Sequence, residues 1–131
     1  MILIDTSAWI EFLRDTGSPT CDEVERLLAE EIAICDAVRM EVLAGARDST
    51  HLVQLRGLLA RATLLETTTG DYETAAGLYR ACHREGETVR KLIDCLIAAI
   101  AIREEVAVLH TDADFDAIAR HTGMRIHQIS L

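Results

Sequence analysis

A three-layer α/β/α fold, with helices on both faces of a central and mostly parallel sheet, is what this sequence predicts. Three observations lead there. Short hydrophobic runs alternate along the chain with longer segments whose apolar residues recur at helical spacing. The first such run, Met1 to Ile4, is apolar throughout and passes straight into a carboxylate, Asp5. No proline-rich, Gly/Ser-rich or low-complexity stretch offers a linker and no internal repeat is visible, so a single domain over residues 1–131 is expected.

The elements follow in order. Met1–Ile4 reads as a strand and leads to a helix around Ser7–Arg14. After the Gly17–Ser18–Pro19 break comes a second helix, Cys21–Glu31. "AIC" is a short strand, followed by helices from Ala37 to Ala46, with Asp36 as its N-cap, and from Ser49 to Arg61. "ATLLE" is a third strand and Asp71–Glu85 a long helix. Helix Arg90–Glu104, strand Val106–His110, helix Ala113–Arg120 and a last strand, "RIHQI", complete the chain. Strands separated by helices pair in parallel, because the crossover helices cover both faces of the sheet.

A chain of 131 residues buries roughly two-thirds of the surface it exposes when unfolded. Its longest strongly apolar stretch, Leu92 to Ile102, carries Asp94 and is shorter than the roughly 20 residues a membrane helix needs. The N-terminus has no basic region ahead of a long apolar segment, which a secretory signal would have. A soluble cytoplasmic protein is expected. The cysteines agree: Cys21, Cys35, Cys82 and Cys95 form no C-x-x-C pair and suit small buried hydrophobes. A net charge of −9 points away from simple nucleic-acid binding through a basic face. It fits a basic protein partner, or acids gathered to hold cations. Of thirteen basic residues, Lys91 is the only lysine.

Several acids resist a purely structural account. In "RKLIDCLIAAIAIRE", Asp94 is the only charge between Lys91 and Arg103, on a helix apolar nearly all round. A buried carboxylate there costs several kcal/mol unless compensated. Arg90, four residues earlier, is one candidate partner, although that order of charges is the weaker one; a divalent cation is the stronger. Glu41 shares a face with Ala37, Val38, Ala44 and Gly45, and reads equally as a solvated edge residue or part of a site. "LHTDADFDAIA" supplies Asp112, Asp114 and Asp116. Thr111 and Asp114 resemble a capping box there, which accounts for only some of these acids. Asp5 could cap the first helix, but Thr6 and Ser7 are competent for that role. Ligands bind beyond the carboxyl ends of the strands in such sheets, and Asp5 and Asp112 each follow a strand. Asp5, Glu41, Asp94 and Asp112 brought together would repel, and hard divalent cations resolve that conflict with oxygen ligands.

In these residues the chain resembles the PIN-domain family, and within it the VapC-type toxins of bacterial toxin–antitoxin pairs. The matching pieces are "ILIDTSAWIEFL", Glu41 in "VRMEVLAGA", Asp94 in "LIDCLIAAIA" and "LHTDADFD". The resemblance implies an endoribonuclease dependent on Mg²⁺ or Mn²⁺, with Asp5, Glu41, Asp94 and Asp112 as catalytic metal ligands. Asp114 is an additional contact, and Thr6 and Ser7 are supporting hydroxyls. It further implies an RNA substrate, a small VapB-type antitoxin with a DNA-binding end, and a homodimer. Trp9, Phe12 and Leu13 are candidates for lining the antitoxin groove or for plain core packing. Three rivals remain. A non-catalytic PIN-type binding protein would keep the fold without the chemistry. A receiver-like Mg²⁺-binding signalling domain would need an aspartate where Glu66 stands and a lysine after Lys91. A haloacid-dehalogenase-type phosphatase would need an aspartate in place of Ser7.

Overall fold

The computed structural model describes residues 1–130. Four strands, β1 (Ile2–Ile4), β2 (Ile32–Cys35), β3 (Thr63–Leu65) and β4 (Ala107–Leu109), form an all-parallel sheet in the order β3-β2-β1-β4. Ile2 stands opposite Ile32 on one side and Ala107 on the other, so β1 is central. Seven helices connect and flank the strands: α1 (Thr6–Leu13), α2 (Pro19–Leu27), α3 (Asp36–Ala44), α4 (Ser49–Leu59), α5 (Thr69–Arg84), α6 (Leu92–Arg103) and α7 (Ala113–His121). Helix α1 packs on α2 and α3, while α5, α6 and α7 pack on one another. This is the expected α/β/α architecture.

Hydrophobic burial explains the layering. All four residues of β2 are buried, so that strand needs a cover on each face. Trp9, Leu3, Ile4, Ile97, Ile100 and Phe115 are fully enclosed, each worth about 1.5–3 kcal/mol in removed apolar surface. Helix α6 is buried from Cys95 to Ala101 apart from Leu96, while Leu92 at its start is exposed. All four cysteines are free and buried. Burial pushes the Cys35 thiol up to about 11 and the Cys95 thiol up to about 12, so both stay protonated. Among the described residues no helix is long and apolar enough to cross a membrane.

Three local expectations are corrected. "RIHQI" is not a strand: a single bridge joins Ile126 to Val108 at the open edge of β4. Ile126 and Ile129 both pack against the core, and a pleated strand cannot turn residues three apart to one face. Asp36 is the first helical residue of α3 rather than its cap; the N-cap is Cys35, with no side-chain cap bond. Thr111 does not cap α7; the cap is Asp112, whose carboxylate accepts from the Asp114 N–H. Of the three candidate groove residues, Trp9 is wholly buried with its ring edge-on to the half-buried Phe12, and only Leu13 is exposed.

The sheet order also locates a crevice. From β1 the chain moves to β2 and β3 on one side, and it returns to pair β4 on the other. The order therefore reverses between β1 and β4. Beyond their carboxyl ends lies the switch point at which parallel sheets bind ligands.

Candidate metal centre

Asp5 enters this crevice directly from β1. Its backbone N–H donates to the Leu109 carbonyl at 3.0 Å, fixing it beside β4. Its extended backbone starts α1, and Oδ2 accepts from the Ser7 N–H at 3.0 Å and the Ser7 hydroxyl at 2.7 Å. Thr6 and Ser7 thus leave the capping to Asp5, contrary to expectation. Capping occupies only one oxygen. Oδ1 is buried with no hydrogen-bond partner, an arrangement that costs about 1–3 kcal/mol in a native protein and calls for a reason. The Ser7 hydroxyl also accepts from the Thr111 N–H at 2.9 Å, tying the start of α1 to the loop after β4.

Asp94 projects from the first turn of α6 and is 2% exposed. Its Oδ2 is a second buried oxygen without a hydrogen-bond partner. Burial, with lesser repulsion from Asp5 and Asp112, pushes its carboxyl up to about 8 against the opposing pull of Lys91. The pairing of Asp94 with Arg90 is not observed. Helix α6 begins at Leu92, so Arg90 is outside the helical register that would stack it on Asp94. It reaches instead to Asp112 Oδ1 and Asp114 Oδ1, each at 3.3 Å. The nearest cation to Asp94 is the Lys91 ammonium, 3.7 Å from Oδ2, too far for a hydrogen bond.

Asp112 and Asp114 come from the start of α7. Burial disfavours ionisation of Asp112, but bonds from the Lys91 ammonium and the Asp114 N–H hold its carboxyl below the usual range. Asp114 receives the N–H of Arg90 at 3.2 Å and of Lys91 at 3.0 Å. These bonds seat the segment that Gly86, at φ +80°, turns out of α5 toward the site. Asp94, Asp112 and Asp114 can each present an oxygen within 4.8 Å of the other two.

Glu41 lies outside that trio. It is half-buried on α3, and its Oε1 accepts from the Thr6 hydroxyl at 2.8 Å, next in sequence to Asp5. His110 Nδ1 accepts from the Asp112 N–H at 3.0 Å, and Nε2 lies 3.6 Å from Asp116. Burial holds this imidazole below its ordinary pKa, which keeps it neutral and suits it to bracing the loop. Sequence reasoning missed Lys91 as a partner of Asp112 and Asp94. Its signal was present: it is the chain's only lysine, next to its most apolar helix.

The donor set consists of carboxylate oxygens only: Asp5, Asp94, Asp112 and Asp114 are all buried, and Asp5 and Asp112 repel the charge on Asp94. Two of those oxygens, Asp5 Oδ1 and Asp94 Oδ2, are buried and unsatisfied. Both features suit a hard divalent cation, which satisfies carboxylate oxygens and reverses the local charge.

Comparison with known proteins identifies the family and the fold. Residues 2–121 match the PIN domain family. Ribonuclease VapC11 of Mycobacterium tuberculosis is 51% identical over 129 residues, covering 95% of this chain and 96% of that one. Among solved structures, the DNA-bound VapBC of Salmonella typhimurium superposes with a TM-score of 0.75 at 20% identity, over 96% of each chain. The Mycobacterium tuberculosis VapC20, a sarcin–ricin loop cleaving toxin, gives 0.68 at 20% identity, over 95% of this chain and 99% of that one.

Proposed function

The chain belongs to the PIN-domain family and, within it, to the VapC group, and from that membership we propose that it is a metal-dependent endoribonuclease, the toxin of a toxin–antitoxin pair. One observation carries the reading: the buried acids Asp94, Asp112 and Asp114 converge from the starts of α6 and α7, Asp5 at the end of β1 is close enough to repel Asp94, and two oxygens, on Asp5 and Asp94, are left unsatisfied. Asp5, Asp94 and Asp112 are the metal ligands, with Glu41 reaching the site beside Thr6. Asp114 contributes mainly by seating the Arg90–Lys91 segment through its backbone bonds. Mg²⁺ or Mn²⁺ is the ion, because an all-oxygen set favours hard cations.

When bound, a divalent ion supplies an ionised water at neutral pH and positive charge against the phosphate oxygens. The residues of the chain do the positioning. Ser7 and the start of α1 hold Asp5 in one rotamer, so that only Oδ1 is free to face the site. The Ser7–Thr111 bond keeps the β1 and β4 ends at fixed separation. No serine, cysteine or histidine acts as nucleophile; His110 is committed to the loop backbone. Residues 1–131 form one PIN domain working in the cytoplasm as a homodimer. A small VapB-type antitoxin with a DNA-binding end restrains it, in keeping with the VapBC complexes among its structural neighbours.

The decisive assay incubates purified protein with a structured RNA in Mg²⁺, in Mn²⁺ and in EDTA, beside Asp94→Asn. Cleavage is expected in either metal, none in EDTA, and a loss of at least about 100-fold in the variant. Full cleavage by the variant removes the mechanism and leaves a fold that serves only to bind.

A further inference from the structure

The acid cluster already carries a cation of its own. Lys91 is the N-cap residue of α6, and its ammonium pairs with Asp112 Oδ2 and lies 3.7 Å from Asp94 Oδ2. Its backbone is fixed by the bond from its N–H to Asp114, while the four-carbon stem is half exposed and free to swing. Arg90 beside it bonds Asp114 through its own N–H and spreads its guanidinium over both Asp112 and Asp114. One carboxylate oxygen cannot serve an ammonium and a divalent ion at full strength together, so the ion and Lys91 compete for Asp112.

We propose that Lys91 is a relay between metal and substrate: it clasps Asp112, beside Asp94, until a divalent ion takes that carboxylate, and the released ammonium then binds the RNA phosphate at the site. This rests on the nuclease reading above. Chemistry favours lysine for the task. A guanidinium would fork across both carboxylates and hold on, whereas an ammonium is a point charge that exchanges readily and is a good phosphate ligand. Every other basic residue of the chain is arginine. In a protein of net charge −9, a cation delivered to the acid-lined rim also gives the polyanion a place to land.

The test uses the full chain, Lys91→Met and Lys91→Arg, with Mn²⁺ alone as first probe by calorimetric titration. Removing the competitor should tighten Mn²⁺ binding about threefold, as befits an ion pair with a half-exposed partner; Lys91→Arg should weaken it. Cleavage of single-stranded RNA in saturating Mn²⁺ is the second probe. Lys91→Met should raise KM more than it lowers kcat. The slope of log affinity against log salt should shrink by about 0.7, one phosphate contact on a single strand, and Lys91→Arg should restore it. Mn²⁺ binding that is unchanged or weaker in Lys91→Met overturns the clasp, and an unchanged KM and salt slope overturn the relay to RNA. Wild-type protein that binds no Mn²⁺ overturns the nuclease reading as well. A wild type that binds and cleaves, beside a Lys91→Met that behaves identically, sinks the relay alone.

Discussion

Asp94→Asn should stabilise the protein in EDTA while abolishing its response to metal. The carboxyl at 94 has an ordinary pKa of 3.8 and stands near 8 in the fold, chiefly because burial opposes its charge. Keeping it folded therefore costs about 4 kcal/mol at pH 7 and up to about 6 above pH 8. Water penetration and side-chain relaxation reduce what is measured to roughly 2–4 kcal/mol. The folded state keeps its proton when the unfolded chain has lost it. Stability from this group is thus intact below about pH 4, falls as the pH rises, and levels off above about pH 8. Asparagine has no such dependence, so the difference between the two proteins isolates residue 94 from every other titrating group. Thermal melts in EDTA from pH 4 to 9 measure it: the midpoints should nearly coincide at pH 4, and the variant should lead by roughly 6–15 °C at pH 8. Adding Mn²⁺ at pH 8 should raise the wild type and leave the variant unmoved. A pH-independent difference, or a variant less stable than wild type at pH 8, would refute the account of a carboxylate buried for a cation.

Other consequences are simpler to read. Ser7→Ala removes the hydroxyl that both donates to Asp5 and accepts from Thr111; stability should fall by about 1 kcal/mol, and kcat about tenfold with little change in KM, as activity assays and melts would register. Phe115, fully buried behind the site, should cost about 3–5 kcal/mol as Phe115→Ala in urea titrations, with or without metal. Glu23, far from the acids, is held by Arg26 and His127, and the Arg26 bond pulls its carboxyl down to about 2. Its contribution is present above about pH 4.5 and lost as the pH falls toward 2, so Glu23→Gln should flatten the acid limb of a stability–pH curve while RNA cleavage at neutral pH persists.

How far the site could be read in advance differs from residue to residue. Asp94 was conspicuous because one charge interrupts an otherwise apolar helix, and hydrophobicity is local information. Asp5 and Asp112 were placed at one rim by the alternation of strands and helices, since a parallel sheet brings all carboxyl ends to the same edge. Capping was misjudged at the starts of α1 and α7 for a single reason: "DTS" and "TDAD" offer several competent side chains within two residues, and only the exit angle of the strand selects among them. The pairing of Arg90 failed likewise. Its distance of four residues from Asp94 has meaning only inside a helix, and α6 begins two residues later.

From its residues alone this chain determined its layers, its parallel sheet and the family to which its acids belong, because those depend on short-range pattern and on the order of elements. Tertiary structure alone decided that Asp5 serves a helix with one oxygen and leaves the other free. It also set the 4.8 Å gathering of Asp94, Asp112 and Asp114 and seated Lys91 among them. The contacts that close the site, Lys91 to Asp112 and Ser7 to Thr111, join residues about twenty to one hundred positions apart, where no periodicity reaches and only the closing of the core sets the distance.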